Sequence, residues 1–133
     1  MRSAVLLILM LCVLAPAVGQ GVEATGRKVP AEEIRQELMG YVLTGVTESD
    51  NTPWRECIER GGNTVYTFRG TSRAGVMWVT EEALACFTYG GLASCFDVFE
   101  TEGVYRFYGG GEVFRVTGRQ PVEGRCQDAT PTS

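Results

Sequence analysis

Three hydrophobic patterns follow one another along the chain. Residues 4–15 are an unbroken apolar run, AVLLILMLCVLA. Residues 30–39, PAEEIRQELM, carry apolar positions at helical spacing: Ile34, Leu38 and Met39 form one stripe. Pro30 suits a first helical turn, Glu32 and Glu33 complement the positive end of the helix dipole, and Gly40 can close the end. From Tyr41 onward the period changes to two. Strands are predicted over 41–46, 54–58, 64–69, 76–80, 84–89, 93–99, 104–108 and 113–117, all rich in Val, Thr, Phe, Tyr and Trp. Gly, Asn, Asp and Ser gather between them, as at 48–51, 61–63, 70–72, 90–91 and 109–111. Short strands at regular spacing with turn chemistry between them predict a mainly β domain. Its architecture is an antiparallel meander forming a small barrel or a sandwich, with one short N-terminal helix docked over an opening or a face.

The first apolar run is too short to cross a bilayer, which takes about 18–20 residues. Preceded by Arg2 and followed by Ala15-Pro16-Ala17-Val18-Gly19, it reads as a signal peptide. Small residues at Ala17 and Gly19 place cleavage between Gly19 and Gln20, with a cut after Ala17 as the other option. Cys12 lies inside the run and follows Leu11, which does not suit lipidation. The organisation expected is a signal peptide over 1–19, a flexible polar leader over 20–29, a single β domain with its helix over 30–126, and a flexible tail over 127–133. Cleavage would leave no second long apolar segment and hence no membrane attachment.

Composition narrows the function classes. The chain has 133 residues, no His and a formal charge of −4. Without His there is no Ser–His or Cys–His pair and no imidazole ligand for zinc. With Lys28 as its one lysine, the acidic chain has no basic field for nucleic acid or anionic lipid. Of five cysteines, Cys57, Cys86, Cys95 and Cys126 lie outside the signal, and an even set in an exported domain reads as disulfides. Three connectivities are possible. If Gly90 and Gly91 form a two-residue type I′ turn, Tyr89 faces Leu92 and Cys86 falls directly opposite Cys95, in the closer, non-hydrogen-bonded type of pair with Cα atoms about 4.5 Å apart. Cys57 is then left for Cys126. The same register puts Ala85, Phe87, Tyr89, Leu92, Phe96 and Val98 on one face, the expected core, and Leu84, Thr88 and Asp97 on the disulfide face.

Candidate chemistry is sparse. No Cys-x-x-Cys occurs, so the cysteines read as staples. Glu32–Glu33, Glu81–Glu82 and Glu100/Glu102 sit at a helix start or in turns, where solvated charge explains them, and Asp97 is the carboxylate singled out inside a strand. Gly109–Gly111 beside Arg106 and Arg115 suggests an anion cradle, but it opens no helix and reads better as a hairpin turn. Most of the thirteen aromatic residues are expected to fill the core, a few of them lining a ligand mouth or a contact patch.

A helix ending Leu38-Met-Gly40, then Trp54, Tyr66-Thr-Phe68-Arg-Gly70, Gly75-Val-Met-Trp78, Ala85-Cys86-Phe87 answered by Cys95 and Val98, and Gly103-Val-Tyr105 resemble a group of small exported proteobacterial proteins, those with domain of unknown function 995. The group usually shows Gly-x-Trp where this chain has two residues between Gly75 and Trp78, and the Cys57/Cys126 pair is an addition. The resemblance implies a Gram-negative periplasm and carries no activity. There is a looser architectural likeness to small periplasmic barrel inhibitors of proteases. The expectation is a non-enzymatic periplasmic or secreted binding or interaction protein, without cofactor or metal, whose partner is a protein or a small-molecule ligand. The alternative is a periplasmic inhibitor of a secreted hydrolase or protease, with the leader over 20–28 as the inserting segment.

Overall fold

A computed structural model describes residues 22–128. The expected signal peptide, the expected Gly19–Gln20 cleavage point and residues 129–133 of the expected tail lie outside the described residues. Nine strands and one α-helix follow in order: β1 (Arg27–Lys28), α1 (Ala31–Glu37), β2 (Tyr41–Thr47), β3 (Pro53–Ile58), β4 (Asn63–Phe68), β5 (Thr71–Val79), β6 (Leu84–Thr88), β7 (Ser94–Thr101), β8 (Val104–Gly109) and β9 (Glu112–Pro121). Each strand from β2 to β9 pairs antiparallel with the next, and β9 returns to pair with β2. The result is a closed eight-stranded up-and-down barrel, so the choice between barrel and sandwich falls to the barrel. Closure removes the edges that an open meander of this size would leave unpaired.

The eight period-two segments expected from the sequence become β2 to β9 with modest shifts at their ends. The short extra strand β1 is the departure. Residues 27–29 belong to the leader expected to be flexible, yet Arg27 pairs with Glu100, Lys28 with Phe99, and the Val29 N–H donates to the Val98 carbonyl at 2.9 Å. The cause is local chemistry. Val29 is fully buried, and Arg27 makes a two-pronged bond to Glu33 at 2.7 Å and a further bond to Glu100 at 2.9 Å. Glu33 and Glu100, expected as solvated charges, are therefore the groups that hold the leader down.

Antiparallel order puts the starts of β2, β4, β6 and β8 and the ends of β3, β5, β7 and β9 at one end of the barrel. The helix plugs that end. Its stripe of Ile34, Leu38 and the adjoining Met39 is buried in one core with Ile58, Met77, Ala85 and Val98. Polar clamps ring it: Arg35 donates to the Val79 carbonyl, Arg60 to the Arg35 carbonyl, the Tyr105 hydroxyl to Glu33, and Arg119 to both the carbonyl and the carboxylate of Glu37. These partners come from strand ends around the rim, so the plug is fixed in rotation as well as in depth. Gly40 adopts φ +88° just after the helix, where its N–H turns away to the Ile58 carbonyl.

Both expected disulfides are present. Cys86 faces Cys95 across the β6–β7 hairpin with Cα atoms 4.0 Å apart, and Cys57 joins Cys126 with Cα atoms 5.6 Å apart. Cys126 opens a short 3-10 turn, Cys126–Asp128, that packs against β4 on the outside of the barrel. The Gly90–Gly91 turn, however, does not form as expected. The β6–β7 ladder stops at Phe87/Ser94, Tyr89 and Leu92 are not paired, and only Gly90 of the two glycines has a positive φ. Leu92, placed by the sequence in the core face, is 97% exposed. The reason lies across the barrel: Tyr89 leaves the ladder to reach a buried carboxylate on β3. The two-residue turn that does form is Gly110–Gly111 between β8 and β9, with φ of +62° and +76° and Gly109 paired to Glu112.

Candidate functional site

An eight-stranded barrel has an interior that side chains can just fill, or that can hold one small molecule. This one does both, at different depths. Toward the helix the inward positions are aliphatic and packed. Toward the opposite end, where β3, β5, β7 and β9 begin, they are mainly aromatic and leave a cavity of about 200 Å³. Seven rings line it: Trp54, Tyr66, Phe87, Tyr89, Phe96, Phe107 and Phe114. Many meet edge to face, as Phe96 does with Phe107 and Phe114, and Trp54 with the same two rings. Edge-to-face contact props rings apart in fixed orientations, which keeps the cup from closing on itself. Trp54 lies over Gly45, its partner on β2; a Cβ at Gly45 would come within 2.4 Å of the indole.

One carboxylate lies in this wall. Glu56 is 5% exposed and sits on β3 between Trp54 and Ile58, all three directed inward by the strand's alternation. Its ladder partners are Leu43 on β2 and Tyr66 on β4. The Thr64 hydroxyl is shared between Glu56 Oε1 and the Cys57 carbonyl, and the Tyr89 hydroxyl between Oε1 and Oε2 at 2.9 Å from each. No Lys or Arg lines the cavity. Burial without a counter-charge pushes the Glu56 carboxyl up to about 7, and the Thr64 and Tyr89 hydrogen bonds hold it back from rising further. The same burial and the neighbouring carboxylate raise the Tyr66 phenol to about 12 and drive Tyr89 higher still. The indole Nε1 of Trp54, 6% exposed, is a buried polar atom without a hydrogen-bond partner among the described residues.

The sequence-selected candidates fall elsewhere. Asp97 is exposed on the outer face of β7 and pairs with Lys28 at 3.1 Å. Gly109–Gly111 is a hairpin turn, and Arg106 beside it is taken by Glu48 at 2.7 Å. Trp78 faces outward opposite Cys86 and is 39% exposed. Cys86 and Cys95 share that outer face, and Cys57 lies under the Cys126 turn, so none of the four cysteines reaches the cup. Glu56 is not among those candidates. Its signal was present in Trp54-Arg-Glu-Cys-Ile58: a carboxylate at the same parity as a Trp and an Ile within one strand must either be buried with them or break the alternation. The gathering of seven rings had no such signal, because they come from six strands and the β6–β7 loop.

No family model, curated protein or solved structure matches the chain. Among the described residues, no three His, Cys, Asp or Glu side chains gather to hold a metal ion.

Proposed function

We propose that the protein is a non-enzymatic, exported binding protein of the periplasm, and that its ligand is a small molecule seated in the aromatic cup. The observation that carries this reading is the cup itself. A closed barrel, plugged at one end by α1, presents at the other a mainly apolar cavity with one buried carboxylate and a few other polar groups, the unpartnered Trp54 Nε1 among them. Apolar walls with a few converging polar groups are the usual make-up of a ligand site. Two disulfides suit an oxidising compartment, and the apolar run at 4–15 and the resemblance to small exported proteins agree with it. Glu56 receives hydroxyl donors, and no second carboxylate, Lys or Arg joins it in the cup. The inhibitor alternative needs a free leader, and β1 together with the Arg27 bonds ties the end of that segment, Arg27–Lys28, to β7 and α1; the cup is the better supported site.

The test is a titration of the mature protein with a library of single-ring compounds, read by NMR on its aromatic side chains. Binding compounds should shift Trp54, Phe96 and Phe107 together and leave Trp78, on the outer face, unmoved. Shifts confined to the outer face, or none with any compound, would refute the reading. Fractionation of cells that express the full chain checks the compartment, with the processed protein expected in the periplasmic extract.

A further inference from the structure

The chemistry of the cup's wall selects one charge type of ligand. Its lining combines seven aromatic rings, whose faces are the negative side of an aromatic quadrupole, with a carboxylate and no basic group. Trp54 Nε1 aside, such a wall disfavours an anion and attracts a cation twice, through the rings and through the carboxylate. Counting acceptors on Glu56 points the same way. A carboxylate offers about four lone-pair positions. Oε1 meets the Thr64 hydroxyl, shared with the Cys57 carbonyl, and part of the Tyr89 hydroxyl, whereas Oε2 receives only the other part of the Tyr89 hydroxyl. Oε2 therefore has room for a further donor. The groups facing Glu56 from its neighbours are Leu43 on β2, Tyr66 on β4 and Tyr89 beyond β6, so no side chain in the cup supplies a positive charge. Size sets the rest. A cavity of 150 Å³ holds a benzene, so about 200 Å³ admits one six-membered ring with an arm of a few atoms. The chain's net charge of −4 favours the approach of a cation.

We propose that the cup binds a small organic amine in its protonated form, a single ring with a short alkylammonium arm, with the ammonium donating to Glu56 Oε2 and the ring enclosed by Phe96, Phe107 and Phe114. The proposal rests on reading the cup as a ligand site. Ammonium binding fills the acceptor left open on Oε2 and supplies the missing counter-charge. Since the site must be ionised to take the cation, and the empty carboxyl sits near 7, affinity should fall about tenfold per pH unit below that value. An alkylammonium, like a lysine side chain, stays protonated across this range.

Calorimetric titration of the mature protein with phenethylamine, 2-phenylethanol and phenylacetate tests this with one ring and three head groups. At pH 8 the amine should bind at least about tenfold more tightly than the alcohol, and phenylacetate should bind weakest. The amine's advantage should shrink at pH 5.5. Glu56→Gln should erase it while leaving the alcohol within about threefold, with circular dichroism checking that the barrel is intact. Tyr89→Phe, which keeps the carboxylate, should retain the preference for the amine. If the alcohol or phenylacetate binds as well as the amine, the charge assignment is wrong and the cup remains a ligand site of another specificity. If none of the three binds the wild-type protein, the amine proposal falls, and the NMR titration with the wider set of ring compounds decides separately whether the cup is a ligand site.

Discussion

Ionising Glu56 inside the barrel is harder than ionising it in the unfolded chain. Its folded carboxyl titrates near 7, against 4.5 for the ordinary side chain. The protonated form is therefore favoured by folding, and that contribution is present below about 4.5 and lost as pH rises through about 7. The full difference corresponds to about 3 kcal/mol. Asp50, Glu33 and Glu112 are shifted downward by their hydrogen-bond donors, so their contributions are lost on the acid side instead. The two effects separate by difference. Chemical denaturation of wild type and Glu56→Gln at pH 4.5 and pH 8 should show the variant gaining up to about 3 kcal/mol relative to wild type at the higher pH. Equal differences at both pH values would mean that Glu56 ionises freely in the folded state. Tyr89→Phe removes a donor to the charged form, so the pH midpoint of the wild-type decline should move upward.

At the scale of single elements, the cup and the plug depend on different strands. β2 and β9 close the barrel, and their register shifts at Thr44/Gly45. There the β2 backbone passes so close to its neighbours that a Cβ on Gly45 would lie 2.1 Å from the Arg115 carbonyl. Since that neighbour is backbone, it cannot swing aside. Gly45→Ala is expected to cost about 1–3 kcal/mol or more and to disturb Trp54, so both the melting temperature and the Trp54 NMR signals should change. The plug is held by packing. α1 is a seven-residue helix of a length too short to stand alone in water, and its stripe does the anchoring. Leu38→Ala, at a fully buried position, should lower stability by about 2–5 kcal/mol. Binding of a cup ligand by whatever remains folded should change little, because the plug and the cup are at opposite ends.

Over the whole molecule, the two disulfides constrain very different lengths of chain. Cys57–Cys126 spans a separation of 69 residues and Cys86–Cys95 one of 9. In the chain-entropy account these are worth about 4 and about 3 kcal/mol, against a total of about 5–15 kcal/mol for a domain of this kind. The longer bridge also seals Cys57 under the C-terminal turn. The double variant Cys57→Ser/Cys126→Ser should therefore melt at a lower temperature than Cys86→Ser/Cys95→Ser, as measured by thermal denaturation monitored by circular dichroism. The reverse order would place the hairpin staple at the centre of barrel stability.

Local rules made much of this protein legible from its residues. Period-two alternation found β2 to β9, the Ile34/Leu38/Met39 stripe found the plug, and cross-strand arithmetic found the Cys86–Cys95 pair, because each depends on neighbours a few positions apart or directly opposite. Three features needed the closed barrel. Arg27 and Lys28 read as a polar leader in the sequence; in the fold Arg27 meets Glu33 and Glu100, and Lys28 meets Asp97 and the Ala83 carbonyl. The Gly90–Gly91 turn was read from its own residues, but Tyr89 was drawn out of the ladder by Glu56, 33 positions earlier. Glu56 itself had a strand's parity to betray it, yet its meaning comes from rings that β3, β4, β6, β7, β8, β9 and the β6–β7 loop bring around it. Alternation states which side chains point inward; only the circumference and twist of the finished barrel decide which of them touch, where space is left, and which carboxylate is stranded there without a counter-charge.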